Sequence, residues 1–248
     1  VRQFVIVAEA RSGTTMLGSA IGRHPQVVMH GEIFGAGHFP LNFYGIDEDL
    51  PWPTPLEIHL KKLRDRDPVQ FLDQLVFADT ARHAVGFKFK FQEFELWPGV
   101  QEYIRRREIP IIYIRRRNLL ERYISDMEAL HTGTFNSTDA ASFGNVAQVN
   151  IAQLLTIERI KHALDMSLQY QSSFQSLFLR NARLELVYEE VISNWQHYLG
   201  LICRFLEIVE LDLAPLTAKR PHQRGVDEMF DRAAISSELA KIGYASYV

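Results

Sequence analysis

Cysteine is almost absent from this 248-residue chain. Cys203 stands alone, so no intrachain disulfide and no multi-cysteine metal site can form, which favours a reducing compartment. Its apolar, helical neighbourhood reads as a buried structural thiol. No run of 18 or more apolar residues occurs, and no basic segment followed by a signal-like apolar stretch opens the chain, so no transmembrane helix is expected. The start at Val1 leaves an upstream segment or anchor open. A strong charge bias is missing too: 27 Lys and Arg against 30 Asp and Glu give a net charge of −3, too little positive field to argue for DNA or RNA as partner. The expectation is a soluble, cytoplasmic chain whose binding is local, with homo-oligomers left open. Internal repeats and low-complexity tracts are not found.

What is present suits a single domain over residues 1–248, with 47% apolar residues to build its core. Short β-branched or aromatic runs occur at Phe4–Ala8, Val27–Met29, Ala84–Phe89, Ile111–Ile114 and Leu184–Val187. Segments of helical spacing separate them. Helices are expected at Thr14–Arg23, at Asn118–Leu130 with Asn118 as N-cap, across much of Ser142–Leu179, and at Trp195–Leu206. This alternation predicts an α/β fold, a parallel sheet flanked by helices. Loops at Gly35–Pro55, rich in aromatics, at Gly133–Gly144 and at Pro215–Gly225, with Lys219, Arg220 and Arg224, are candidate pocket walls, since ligands of open α/β sheets sit beyond the carboxyl ends of the strands.

The first chemical signal runs from Phe4 to Leu17 as an apolar strand, a tight turn and a helix start. Arg11, Ser12, Gly13, Thr14 and Thr15 put a cation, a glycine and three hydroxyls where helix N-terminal amides would meet an anion. The loop is P-loop-like but incomplete. A nucleotide triphosphatase would carry Lys after Gly13, where this chain has Thr14, and an acid at the end of a second strand, where Ile111–Ile114 runs into Arg115, Arg116 and Arg117. A phosphate-containing nucleotide handled by cations and hydroxyls, without a divalent metal, fits better.

The second signal is Arg117 at a strand exit, followed eight residues later by Ser125 in the next helix. Arg122 and Ser125 fall on one helical face, with Arg117 at its entrance, a geometry able to hold a second phosphate. For any one of these arginines a solvated basic helix end is an equal alternative.

Taken in order, the two motifs resemble the sulfotransferases that use 3′-phosphoadenosine 5′-phosphosulfate (PAPS). The stretch from Arg11 to Phe34 is particularly similar to bacterial carbohydrate and glycolipid sulfotransferases of the trehalose and nodulation-factor types, and also resembles protein-tyrosine sulfotransferases. The resemblance covers about the first half of the chain, with a weaker echo at Val187–Glu190. It implies a sulfotransferase fold, PAPS as donor and 3′,5′-ADP (PAP) as product. It further implies that Arg11 to Thr15, with Met16 in the first helical turn, grip the 5′-phosphosulfate, while Arg117 and Ser125 grip the 3′-phosphate.

In those relatives a Glu after Gly at this place is the proposed base, which here is Glu32. Partial burial would have to raise its pKa for that work. His30 is the rival base, sharing a face with Glu32 if the strand continues to Gly31. Lys88 and Lys90 project from one side of an otherwise apolar strand, so either that strand is a wet edge or one lysine enters the site; a donor-contacting role falls to Lys88 or Lys90 on chemical grounds. The expected acceptor is a carbohydrate, glycolipid or small-metabolite hydroxyl. Competing readings are an atypical nucleotide kinase and a non-catalytic nucleotide- or glycan-binding module on the same fold.

Overall fold

The computed structural model of the protein describes residues 1–35, 55–78, 81–132, 155–214 and 231–248. Five parallel strands, β1 (Arg2–Ala8), β2 (Val27–Met29), β3 (Ala84–Lys90), β4 (Ile111–Arg115) and β5 (Arg183–Val187), form one sheet in the order β2-β3-β1-β4-β5. β1 is central because it can be: Phe4 to Ala8 are fully buried on both faces, as a strand covered by helices on either side requires.

The connecting helices are α1 (Thr14–Gly22), α2 (Pro55–Arg66), α3 (Pro68–Phe71, running into a π-helical turn at Leu72–Val76), α4 (Phe91–Phe94), α5 (Pro98–Arg106), α6 (Leu119–Thr132), α7 (Ile157–Leu177), α8 (Tyr188–Ser193), α9 (Trp195–Leu206) and α10 (Arg232–Leu239). One face of the sheet presents Phe4, Ile6, Ala8, Ile112 and Ile114 to α1 and α9. The other presents Val5, Val7, Phe87 and Phe89 to α5 and α7 in an aromatic-rich core with Phe91, Phe94 and Phe174. A third cluster joins α6, α7 and α10. Gly86 is demanded by packing, since a Cβ there would lie 2.5 Å from the Phe4 ring that crosses it.

All five expected strands are present, β2 with the expected bounds and the other four extended by a residue or two at one end. Asn118 caps α6, its Oδ1 accepting the Glu121 amide at 2.8 Å. Cys203 is buried in α9, and burial pushes its thiol pKa up, as befits a structural thiol. β3 is not an edge strand: it pairs with β2 and β1, so the wet-edge explanation of Lys88 and Lys90 fails. The aromatic loop after Gly35, the Gly133–Gly144 loop, the first part of the Ser142–Leu179 helix and the basic loop from Lys219 to Arg224 lie outside the described residues. No helix among those described is long and apolar enough to cross a membrane.

Candidate functional site

The order of the strands places a topological switch between β3-β1 and β4, and the residues singled out by sequence sit beyond that carboxyl end. After β1 the chain turns sharply. Arg11 at φ 64° and Gly13 at φ 86° both adopt left-handed backbone, which is costly for arginine and natural for glycine. Gly13 N-caps α1, and the first helical bond runs from the Leu17 amide to Gly13 O at 3.1 Å, so the amides of Thr14, Thr15 and Met16 have no intrahelical acceptor. The Met16 side chain instead packs on the core, which leaves its amide as what it can offer an anion. Ser12 differs from expectation: it is fully buried under the turn, and its Oγ has no hydrogen-bond partner among the described residues.

Two buried arginines hold the turn from behind. Arg116 donates to Arg11 O at 3.4 Å and Arg122 donates to Ala10 O at 3.5 Å. The Nε of each is also buried without a hydrogen-bond partner. Arg122 further stands 3.6 Å from Glu9 Oε1, and Glu9 accepts the Ser167 hydroxyl of α7 at 2.7 Å. Burial raises the Glu9 pKa, against the pull of Arg122 and Ser167. Arg122 does face the loop together with Ser125, as the helical spacing requires, and it is buried there against Ala10 O and Glu9.

Ser125 meets the loop directly: Arg11 Nε donates to Ser125 Oγ at 3.3 Å. Arg117 lies further out, exposed and paired with Glu190, while its amide and that of Asn118 donate to Glu189 at 2.9 and 3.1 Å. An exposed pair of that kind is readily exchanged for a phosphate. Tyr188 lays its ring against Gly13, where a Cβ would come within 2.5 Å of it, and Arg116 stacks on the same ring at 5.1 Å. The cradle thus gathers four arginines and the free amides of a helix start, with Glu9, Glu189 and Glu190 held on its supporting side.

A second group gathers at the ends of β2 and β3. Glu32 pairs with Lys88 at 3.6 Å and with Lys90 at closer range. Burial works to raise the Glu32 pKa, but the two ammonium groups outweigh it and hold the carboxylate below its usual range, opposite to what the sequence reading required of a base. Burial lowers the Lys88 pKa, and Glu32 offsets part of that. His30 stays apart. Backbone pairing does continue past Met29, through His30 N to Gly86 O and Lys88 N to Gly31 O. That register sets His30 level with Phe87, on the opposite face from Lys88. It is buried there, with its pKa driven down to about 4 by desolvation.

The segment carrying Glu32 is clamped carbonyl by carbonyl. Arg64 of α2 donates to Ile33 O at 2.8 Å and Gly35 O at 3.4 Å, Trp97 Nε1 donates to Phe34 O at 2.9 Å, and the Arg64 guanidinium stacks on the Trp97 ring at 5.1 Å. Sequence reasoning gave no role to Arg64, Arg116, Glu9 or Glu93; Glu9 lies inside the Phe4–Leu17 segment and Arg116 inside the Arg115–Arg117 run, whereas Arg64 and Glu93 belong to no motif. Among the described residues no group of three or more His, Cys, Asp or Glu could hold a metal ion.

A sulfotransferase from Alicyclobacillus acidocaldarius superposes on 98% of this chain and 95% of its own, with a TM-score of 0.52 and 19% identity. The fold is that of a sulfotransferase. Mouse sulfotransferase SULT7A1 complexed with PAP gives a TM-score of 0.47 and 15% identity, over 99% of this chain and 64% of that one. No protein-family model and no curated protein matches the chain.

Proposed function

We propose that this protein is a PAPS-dependent sulfotransferase that moves a sulfuryl group to the hydroxyl of a carbohydrate, glycolipid or small metabolite and releases 3′,5′-ADP. The observation that carries the reading is the 3.3 Å contact between Arg11 and Ser125, which joins the phosphate loop to the second arginine-serine motif in one cleft of a sulfotransferase fold. In this reading Arg11 and the Thr14, Thr15 and Met16 amides bind the 5′-phosphosulfate, and Ser125 with Arg117 takes the 3′-phosphate. The acceptor oxygen attacks sulfur, the bond from sulfur to the 5′-phosphate oxygen breaks, and the acceptor proton passes to Glu32. Lys88 or Lys90 balances the charge that gathers on the sulfuryl and leaving oxygens.

Thermal shift tests the binding half. 3′,5′-ADP should stabilise the chain more than ADP or ATP, because only a 3′-phosphate site prefers it. Transfer of radiolabelled sulfate from PAPS to a panel of sugars, glycolipids and phenols tests the chemistry. Glu32→Gln should lower turnover on the order of a hundredfold or more while the 3′,5′-ADP shift persists. Equal stabilisation by all three nucleotides, or no transfer to any acceptor, overturns the reading.

A further inference from the structure

Glu93 belongs to no motif, yet its side chain reaches the Glu32 group. It is the third residue of α4, immediately after β3, and its Oε2 accepts the Lys90 amide at 2.9 Å, reaching back over the helix start. It is buried, with 4% of its surface exposed. A Cβ built on Gly35 would stand 3.4 Å from Glu93 Oε1 and 3.7 Å from Glu32 Cβ, so the two carboxylate side chains flank the same narrow gap. Among the described residues the charged groups acting on Glu93 are Lys88 and Lys90 of β3 and Glu32 beyond β2. Two carboxylates and two ammonium groups therefore share one corner, and Lys90 has a hold on both acids through its amide and its ammonium.

We propose that Glu93 is a positioning residue of this corner, which fixes Lys90 and, acting across it, sets how strongly Glu32 takes up a proton. Burial drives the Glu93 pKa up to about 7, with the Glu32 charge adding to the rise and Lys90 and Lys88 opposing it. Glu93 is therefore a neutral acid below that pH and an anion above it. As an anion it repels the Glu32 charge and competes for Lys90, and both effects make Glu32 the better proton acceptor. As a neutral acid it leaves both lysines to Glu32, which becomes a weaker base. In the sulfuryl transfer proposed above, on which the catalytic consequence rests, the rate would rise as Glu93 ionises.

The test separates the coupling from the reaction. With side-chain carboxyl carbons labelled by 13C, NMR titration of the full chain should show Glu93 titrating near neutrality and the Glu32 resonance inflecting at the same pH. Glu93→Gln keeps an oxygen for the Lys90 amide but cannot ionise, so the Glu32 inflection should vanish while the 3′,5′-ADP thermal shift stays. In turnover, kcat should lose its rise across neutral pH and fall about three- to tenfold at pH 8, with KM for the donor unchanged. Glu93→Ala removes the accepting oxygen as well and should add a loss of thermal stability. A Glu32 inflection that survives in Glu93→Gln, or a Glu93 that titrates as an ordinary carboxylate, overturns the proposal. Linked inflections in a chain that transfers no sulfate support the coupling and count against the sulfotransferase reading alone.

Discussion

The Ser167 hydroxyl donates to Glu9 Oε1 across 158 positions of sequence and pins α7 to the exit of the central strand. Both groups are buried, and the turn that starts the phosphate loop follows Glu9 directly. Ser167→Ala leaves a buried carboxylate one donor short and should cost about 1–3 kcal/mol of stability. Urea unfolding checks this, and an unchanged midpoint would show that Arg122 suffices for Glu9.

Gly13 carries two constraints at once, the left-handed φ of 86° and the Tyr188 ring 2.5 Å from where a Cβ would be. Gly13→Ala should destabilise the chain by about 1–3 kcal/mol through the backbone alone and also displace the ring. Stabilisation by 3′,5′-ADP should be lost in Gly13→Ala and partly restored in Gly13→Ala/Tyr188→Ala, where only the ring contact has been relieved. Thermal shift of the two variants side by side measures the difference.

Arg64 reaches Ile33 O and Gly35 O through Nη1 while its Nε and Nη2 hold Asp65 Oδ1 and its plane stacks on Trp97, a combination that a lysine ammonium cannot reproduce. Arg64→Lys should therefore loosen Glu32 and lower turnover on the order of tenfold to a hundredfold, the scale on which small misplacements act. Nucleotide binding, governed by a different part of the cleft, should hold. Steady-state kinetics beside 3′,5′-ADP titration separates the two.

Stability should carry two opposed pH dependences. Glu93 has its pKa raised from 4.5 to about 7, so its contribution is full below pH 4.5 and is lost as pH rises through about 7. His30 has its pKa lowered from 6.5 to about 4, so its contribution is full above pH 6.5 and is lost as pH falls through about 4. Each displacement is worth on the order of 3 kcal/mol, and between pH 4.5 and 6.5 they should largely cancel. Glu93→Gln should unmask a stability that climbs with pH across that window, and His30→Gln one that falls. Chemical denaturation at several pH values reads both slopes.

Those two residues also mark where sequence reading stops. Strands were legible because each is a short apolar run between polar loops, and the Arg11–Thr15 loop because its residue types announce an anion. Ser125 was legible through its spacing from Arg117. The side chosen by His30 was not, since it depends on the register of β2 against β3, which places His30 level with Phe87 and away from Lys88. Nor was the depressed pKa of Glu32, which comes from lysines 56 and 58 positions later in the chain. Glu93 and Arg64 act through backbone amides and carbonyls, and such contacts leave no mark on residue type. The helices at Pro55–Arg66 and Pro98–Arg106 were not read from the sequence either.

Tyr188, which closes over Gly13, belongs to a late part of the chain, after the last strand of the sheet has been laid down. The loop it covers lies far earlier in the chain and is synthesised well before it. A nascent chain therefore carries the residues of the anion cradle long before it can give them their shape, and the cradle becomes competent only once β5 has docked and brought Tyr188 with it. The shape of the cradle is in this way deferred until the sheet is whole.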